Sequence, residues 1–237
     1  MSGLNVKNTI VERVLQIVAP HPCLSCGKIG GILCPYCKYD IGQEQFGGCI
    51  LCEAPSPVGV CARHDAPFEC VWVVGERSGT LQVLIDALKF QHVKAAAPLI
   101  AELLDDMLPV LPSETVVIPV PTVASHVRER GYDQALLIAK ELAVLRGFVL
   151  KPALKRASKT TQHIVGRQER QKQAQVAFTY NKTVDVAGKT VLLVDDVITT
   201  GATVTACAAL LSAAGARVLV AGAAYQTKAL DFTPRIC

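Results

Sequence analysis

One stretch constrains the fold of this chain more than any other. Thr190-Val-Leu-Leu-Val194 is wholly apolar after its first residue and ends at Asp195-Asp196. Val197-Ile198-Thr199-Thr200-Gly201-Ala202-Thr203 then leads into an Ala-rich helical pattern from Thr203 to Ala214, closed by Gly215, and a second apolar run spans Arg217 to Ala223. Strands apolar on both faces and separated by a helix belong to a covered, mainly parallel sheet. The same unit stands earlier: Val116-Val-Ile-Pro-Val-Pro121 reads as a short strand stopped by prolines. It precedes a helix from about Gln134 to Leu145 that ends near Gly147. Val71-Trp-Val-Val74 and helical patterns through Leu81, Leu84, Ile85 and Leu88 and from Leu99 to Leu108 complete an α/β domain predicted over 71–237.

Composition supports a folded chain, since 51% of its 237 residues are hydrophobic, ample for a core. The segment from Thr200 to Ala224 has one charge, Arg217, yet its three Thr, its Ser and the Gly215-Ala-Arg217 break make it helix then strand, with no membrane span. Over residues 1–19, Ile10, Val14, Ile17 and Val18 give a short amphipathic helix, and Glu12 and Arg13 interrupt any signal core. The expected location is cytoplasmic.

Residues 20–70 have a different texture, rich in Gly, Pro and Cys, with eight of the 10 cysteines at or before Cys70. So small a segment cannot bury much core, and a metal must substitute for it. Cys23-x2-Cys26 followed by Cys34-x2-Cys37 has the spacing of a four-thiolate structural zinc site. Cys49, Cys52, Cys61 and His64 repeat the geometry with histidine last, giving either a second zinc or spare thiols beside one zinc. Cys70 is an alternative fourth ligand to His64. Cys207, on an apolar helix, reads as a small buried hydrophobe, and Cys237 as a terminal thiol.

The junction at 195–203 is where an open α/β sheet binds ligands. A helix start with a Gly for close approach and hydroxyls from Thr199, Thr200 and Thr203 suits a phosphate. Two adjacent carboxylates would repel that phosphate unless they faced something else, and ribose hydroxyls, directly or through Mg²⁺, are a natural partner. A receiver domain also carries paired acids after a strand, but only 42 residues follow Asp195, too few for the rest of that fold. A Walker B strand would need a P-loop, and before Gly188-Lys189-Thr190 the first Gly position holds Thr183. Charge adds an anionic theme: 126–175 carries 11 Lys and Arg against four Asp and Glu, within a net charge of +4. That run is either a ligand-facing surface or a solvated basic face.

The segment 191–203 resembles the phosphoribosyl pyrophosphate (PRPP) motif of type I phosphoribosyltransferases, with both acids and the Thr-Thr-Gly-x-Thr turn in place. With the cysteine module ahead of it, the chain from about Cys23 to Ala224 resembles the ComF family, bacterial proteins associated with competence and the handling of incoming DNA. Ala87-Leu-Lys-Phe90, Ile118-Pro-Val-Pro121, Arg130-Gly-Tyr-Asp-Gln-Ala135 and the stretch from Arg156 through Gln162 and Arg170 to Phe178 carry that resemblance. It departs from the family at Asp133, where Asn is common after Gly-aromatic, and at Gln173, where Asn usually follows the Arg.

The resemblance implies a type I phosphoribosyltransferase-like, mainly parallel sheet flanked by helices, with a small N-terminal zinc-binding module. It implies that Asp195 and Asp196 hold the ribose and that Thr199, Thr200, Gly201, Ala202 and Thr203 hold the 5′-phosphate. Pro119, Val120 and Pro121 would meet the pyrophosphate with Mg²⁺, Lys89 would contact PRPP, and Arg128 and Arg130 would form a mobile basic loop over the diphosphate. Arg156, Gln162, Arg167 and Arg170 resemble the family's cap over the site. Three uses of this fold stay open: a phosphoribosyltransferase, a single-stranded DNA-binding protein of DNA uptake, and a PRPP sensor without turnover. The family association extends to DNA-uptake helicase or recombination proteins as partners and to a homodimer.

Overall fold

A computed structural model describes residues 21–42, 46–156 and 178–227. The expected helix over 1–19, the cap residues Gln162, Arg167, Arg170 and Gln173, and Cys237 lie outside these.

The central sheet has five strands: β1 (Val71–Val73), β2 (Val116–Pro119), β3 (Val149–Leu150), β6 (Thr190–Ile198) and β7 (Arg217–Tyr225). Their order is β1-β7-β6-β2-β3 and every pairing is parallel. A separate antiparallel ribbon joins β4 (Leu154–Arg156) to β5 (Phe178–Tyr180). Helices cover both faces, as the doubly apolar strand sequences require. One core packs α2 (Gly79–Phe90), α3 (Ala96–Met107) and α5 (Gln134–Arg146) on Val117, Leu192, Val194, Leu219 and Ala221. The other packs α6 (Ala202–Ala213) on Val116, Ile118, Val191, Leu193, Val218 and Val220. Along β6 and β7 odd and even positions therefore part company, the period-two rule read from the inside.

Local signals set the boundaries. Asp133 caps α5, its carboxylate accepting from Leu136 N at 3.1 Å, and Gly147 closes the helix in the left-handed region at φ 68°. The sheet runs further than the apolar runs alone predict. β6 continues past Val194 to Ile198 because β7 continues beside it to Tyr225, with Asp195 opposite Gly222 and Ile198 opposite Tyr225. The two acids thus belong to the strand and do not follow it.

The cysteine-rich segment packs into the same two cores. Ile41, in α1 (Pro35–Ile41), is buried with the α2/α3/α5 layer, and Ile50 with the α6 layer. Ser25 Oγ lies 3.0 Å from Thr80 Oγ1 on α2, and Lys38 pairs with Glu102 on α3 at 3.0 Å. Among the described residues no helix is long and apolar enough to cross a membrane.

Candidate functional site

The C-terminal end of β6 gathers the chemistry-bearing residues. Asp195 is buried, 7% exposed, and its Oδ1 accepts from Asp196 N at 2.9 Å. Burial pushes the Asp195 carboxyl well above the ordinary carboxylate range; the Asp196 charge adds to the rise, while the Asp196 N–H and Lys89 oppose it. Asp196 Oδ2 lies 3.0 Å from Lys89 Nζ near the end of α2. Lys89 therefore reaches the site, but as the partner of Asp196. Both side chains are largely covered, at 14% and 16% exposure, so the pair is screened less than a surface bridge. These two effects answer the repulsion expected from paired acids: one carboxylate is driven toward its neutral form and the other is matched by a cation.

Beyond Ile198 the chain turns at Thr199 and Thr200, both exposed, and enters α6 through Gly201, which is buried at φ 71°. Gly201 has no side chain to cap α6, but Thr200 Oγ1 accepts from Ala202 N at 3.4 Å. The N–H groups of its first turn, Ala202 and Thr203 included, are the kind of donor cluster that binds a phosphate. Two features favour glycine at 201, the first more strongly. Its φ is left-handed, and a Cβ there would stand 2.6 Å from Leu51 Cδ2.

β2 brings the second loop alongside. Its register sets Pro119 against Val194, and Val120 N donates to Val194 O at 2.8 Å, so Pro119-Val120-Pro121 leaves the sheet next to the acids. Asp133 then fixes the following residue, accepting from Thr122 N at 3.2 Å and from Thr122 Oγ1 at 2.9 Å. The sequence reading marked Asp133 only as a departure from a pattern; in the fold it clamps this loop and caps α5 together.

Arg128 and Arg130 stand differently from the expected mobile loop: they lie in a short helix, α4 (Ala124–Arg130), that buries none of its residues. Arg130 is engaged elsewhere, Nη1 donating to Gln134 Oε1 at 3.0 Å and the guanidinium lying 5.2 Å from the Phe90 ring. The basic stretch is split in the same way. Arg146 is spent on structure, pairing with Asp105 and donating to the carbonyls of Asp105, Leu108 and Pro109.

Two clusters can hold a metal. In each of Cys23/Cys26/Cys34/Cys37 and Cys49/Cys52/Cys61/His64 the ligand atoms lie within 4.8 Å of one another. Thiolates about 2.3 Å from a tetrahedral zinc ion stand about 3.8 Å apart. Cys26 and Cys34 Sγ are 3.6 Å apart, and Cys52 and Cys61 Sγ 3.7 Å. His64 Nε2 is buried without a hydrogen-bond partner, the state of a ring nitrogen that a metal would satisfy. Cys70 is not among the ligand atoms that converge in either cluster. Burial pushes Cys37 up to about 12 and Cys52 up to about 11. In Cys23 burial acts the same way, but the N–H groups of Cys26, Cys34 and Ser25 overcome it and hold the thiol down to about 6.

With this geometry in place, comparison with known proteins is decisive at one point: residues 93–229 match the phosphoribosyl transferase domain family. The chain belongs to that family. It is also similar to proteins called DNA utilization protein YhgH. The one from Salmonella typhi is 29% identical over 192 residues, 78% of this chain and 79% of its own. The one from Escherichia coli strain K12 is 28% identical over 213 residues, 78% of this chain and 92% of its own. Among solved structures, a hypoxanthine phosphoribosyltransferase from Staphylococcus aureus aligns over 61% of this chain and 70% of its own at 15% identity, with a TM-score of 0.33.

In this phosphoribosyl transferase domain the structure brings Asp195, Asp196, Lys89, the 119–121 loop and the 199–203 turn to one end of the sheet. Arg130 is turned to Gln134 and Phe90. Three contributors escaped sequence reading. Ile50 and Leu51, between two cysteines, contact Gly201 from outside the family match, and Tyr225 ends β7 beside Ile198. A Cys-x2-Cys spacing reports its ligands and says nothing about what the two residues between them touch.

Proposed function

We propose that this chain binds PRPP with Mg²⁺ at the end of β6 and serves in the uptake or processing of DNA. The observation that carries the reading is the junction itself: Asp195-Asp196 in the second half of a central parallel strand, followed by a 12-residue helix entered through a buried Gly. The first turn of α6 with Thr199, Thr200 and Thr203 takes the 5′-phosphate by backbone and hydroxyl donation. Asp196, held by Lys89, accepts from ribose hydroxyls, and burial that favours a neutral Asp195 keeps the site from repelling the phosphates. Mg²⁺ would supply the charge that neutralises the pyrophosphate; Pro119-Val120-Pro121 stands on the neighbouring strand with its one N–H, that of Val120, already donating to Val194 O, so it offers carbonyls, which suit the cation. If an acceptor displaces pyrophosphate here, catalysis is positioning and electrostatic stabilisation, for which the rigid strand ends are suited. The YhgH relatives are named for DNA utilization, and that supports the cellular role. Two structural zinc ions in the cysteine clusters complete the reading.

Calorimetric titration of PRPP into the metal-loaded protein, with and without Mg²⁺, tests it. Magnesium-dependent binding that disappears in the Asp195→Asn, Asp196→Asn double variant is the expected result. No binding at millimolar PRPP sinks it. Oligonucleotide titration of the same two proteins shows whether DNA uses this surface: unchanged DNA affinity in the double variant puts it on another.

A further inference from the structure

The second cysteine cluster does more than fold its own loop. Ile50 and Leu51 fill the interval between its ligands Cys49 and Cys52, and both press on the turn that enters α6. A Cβ on Gly201 would meet Leu51 Cδ2 at 2.6 Å, and Ile50 Cδ1 and Ile50 O at 3.4 Å. Ile50 is fully buried and shares a core with Ile198, Val204 and Cys207, the residues that flank the turn on both sides. The residue after Cys52 reaches the same place. Glu53, at φ 65°, accepts from Tyr225 Oη at 3.0 Å, and Tyr225 is the register partner of Ile198, where the turn begins. Phe46 stacks on the Tyr225 ring at 4.2 Å. Among the described residues the first cluster has no such relation; the side chains around it reach α2 and α3, through Ser25 with Thr80 and Lys38 with Glu102.

We propose that metal in the Cys49/Cys52/Cys61/His64 cluster positions the 199–203 turn, with Ile50 and Leu51 transmitting its order to Gly201. The physical reason is the cost of freedom. A loop of this composition is held by its metal, and a left-handed glycine turn braced by one long side-chain bond, Ala202 N to Thr200 Oγ1 at 3.4 Å, depends on what packs against it. Emptying the cluster releases Leu51, and the turn samples conformations in which the α6 N–H groups no longer converge. Coupling is reciprocal, so a ligand on the turn also raises the metal affinity of this cluster and not of the first. The inference rests on 199–203 being the phosphate turn of the proposed function, but its first test needs no ligand.

Hydrogen exchange of the full chain reads the amides of 199–205 in the wild type, in Cys61→Ser, in Cys26→Ser and in Leu51→Ala, with metal content measured on each sample. Exchange should quicken several-fold in Cys61→Ser after loss of one metal, and in Leu51→Ala with the metal content of the wild type, while Cys26→Ser leaves these amides unchanged. Turn amides that exchange as in the wild type in either Cys61→Ser or Leu51→Ala overturn the proposal, as does equal quickening in Cys26→Ser. Because Leu51→Ala keeps every ligand, misfolding of a cysteine variant does not rescue the idea. PRPP titration of the same proteins separates the two readings. Failure of the wild type to bind PRPP, with turn exchange still responding to Cys61→Ser, removes the ligand assignment and leaves the coupling standing. PRPP binding of equal affinity in wild type and metal-depleted Cys61→Ser does the reverse.

Discussion

At the scale of single residues, the two acids of one dipeptide have been given different jobs by their surroundings. Alternation along β6 sends Asp195 toward the α6 side, where burial, and after it the nearby Asp195, pushes the Cys207 thiol up to about 12, and leaves Asp196 for Lys89 on the other side. Asp195 is a raised acid, so between its unfolded value near ~3.9 and its higher folded value the native state holds more protons than the unfolded chain. Stability therefore falls as pH rises through that window, because the buried site disfavours the ionised form that the unfolded chain adopts freely. Asp195→Asn, which keeps an oxygen for the Asp196 N–H, should raise Tm at pH 7, with the gain shrinking as pH falls toward ~4. Thermal melts of both proteins across that range decide it; a gain that grows on acidification would contradict the assignment.

At the scale of elements, one carboxylate joins two pieces of backbone. Asp133 accepts from the start of α5 and from both donors of Thr122, so the 119–122 loop and the helix behind it are set as a unit. Asp133→Ala removes a helix cap and two loop bonds, and should cost about 1 to 2 kcal/mol. Asp133→Asn preserves the cap oxygen but turns an NH₂ toward the Thr122 N–H, so it loses one loop bond and should cost about half of that. Denaturant melts give both values. An Asp133→Ala variant as stable as the wild type would show that the loop holds itself.

At the scale of the whole molecule, the cysteine-rich segment is tied to the sheet. It contributes Ile41 to one core and Ile50 to the other, and Glu69 N donates to Val218 O at the edge of β7. Stripping metal with a strong chelator should lower the melting of the entire chain in one cooperative transition, and the loaded protein should contain about two metal ions per chain. Two separated transitions, with the later one unmoved by chelator, would mean that the sheet domain folds without the module.

Much of this was readable in the chain. Apolar runs bounded by Pro and Gly located β2, β6 and β7, helical spacing located α2, α3, α5 and α6, and the cysteine spacings grouped both metal clusters, because each signal is carried by residues within one or two turns of each other. The choice of His64 over Cys70, the extension of β6 through the acids, the Lys89 and Asp196 pair, and the contact of Leu51 with Gly201 were not readable. The first turns on how one short loop folds, and the other three on residues from tens of positions to well over a hundred apart meeting at one sheet end. Periodicity fixes which face a residue takes, whereas the neighbour it finds there is settled only when the layers pack.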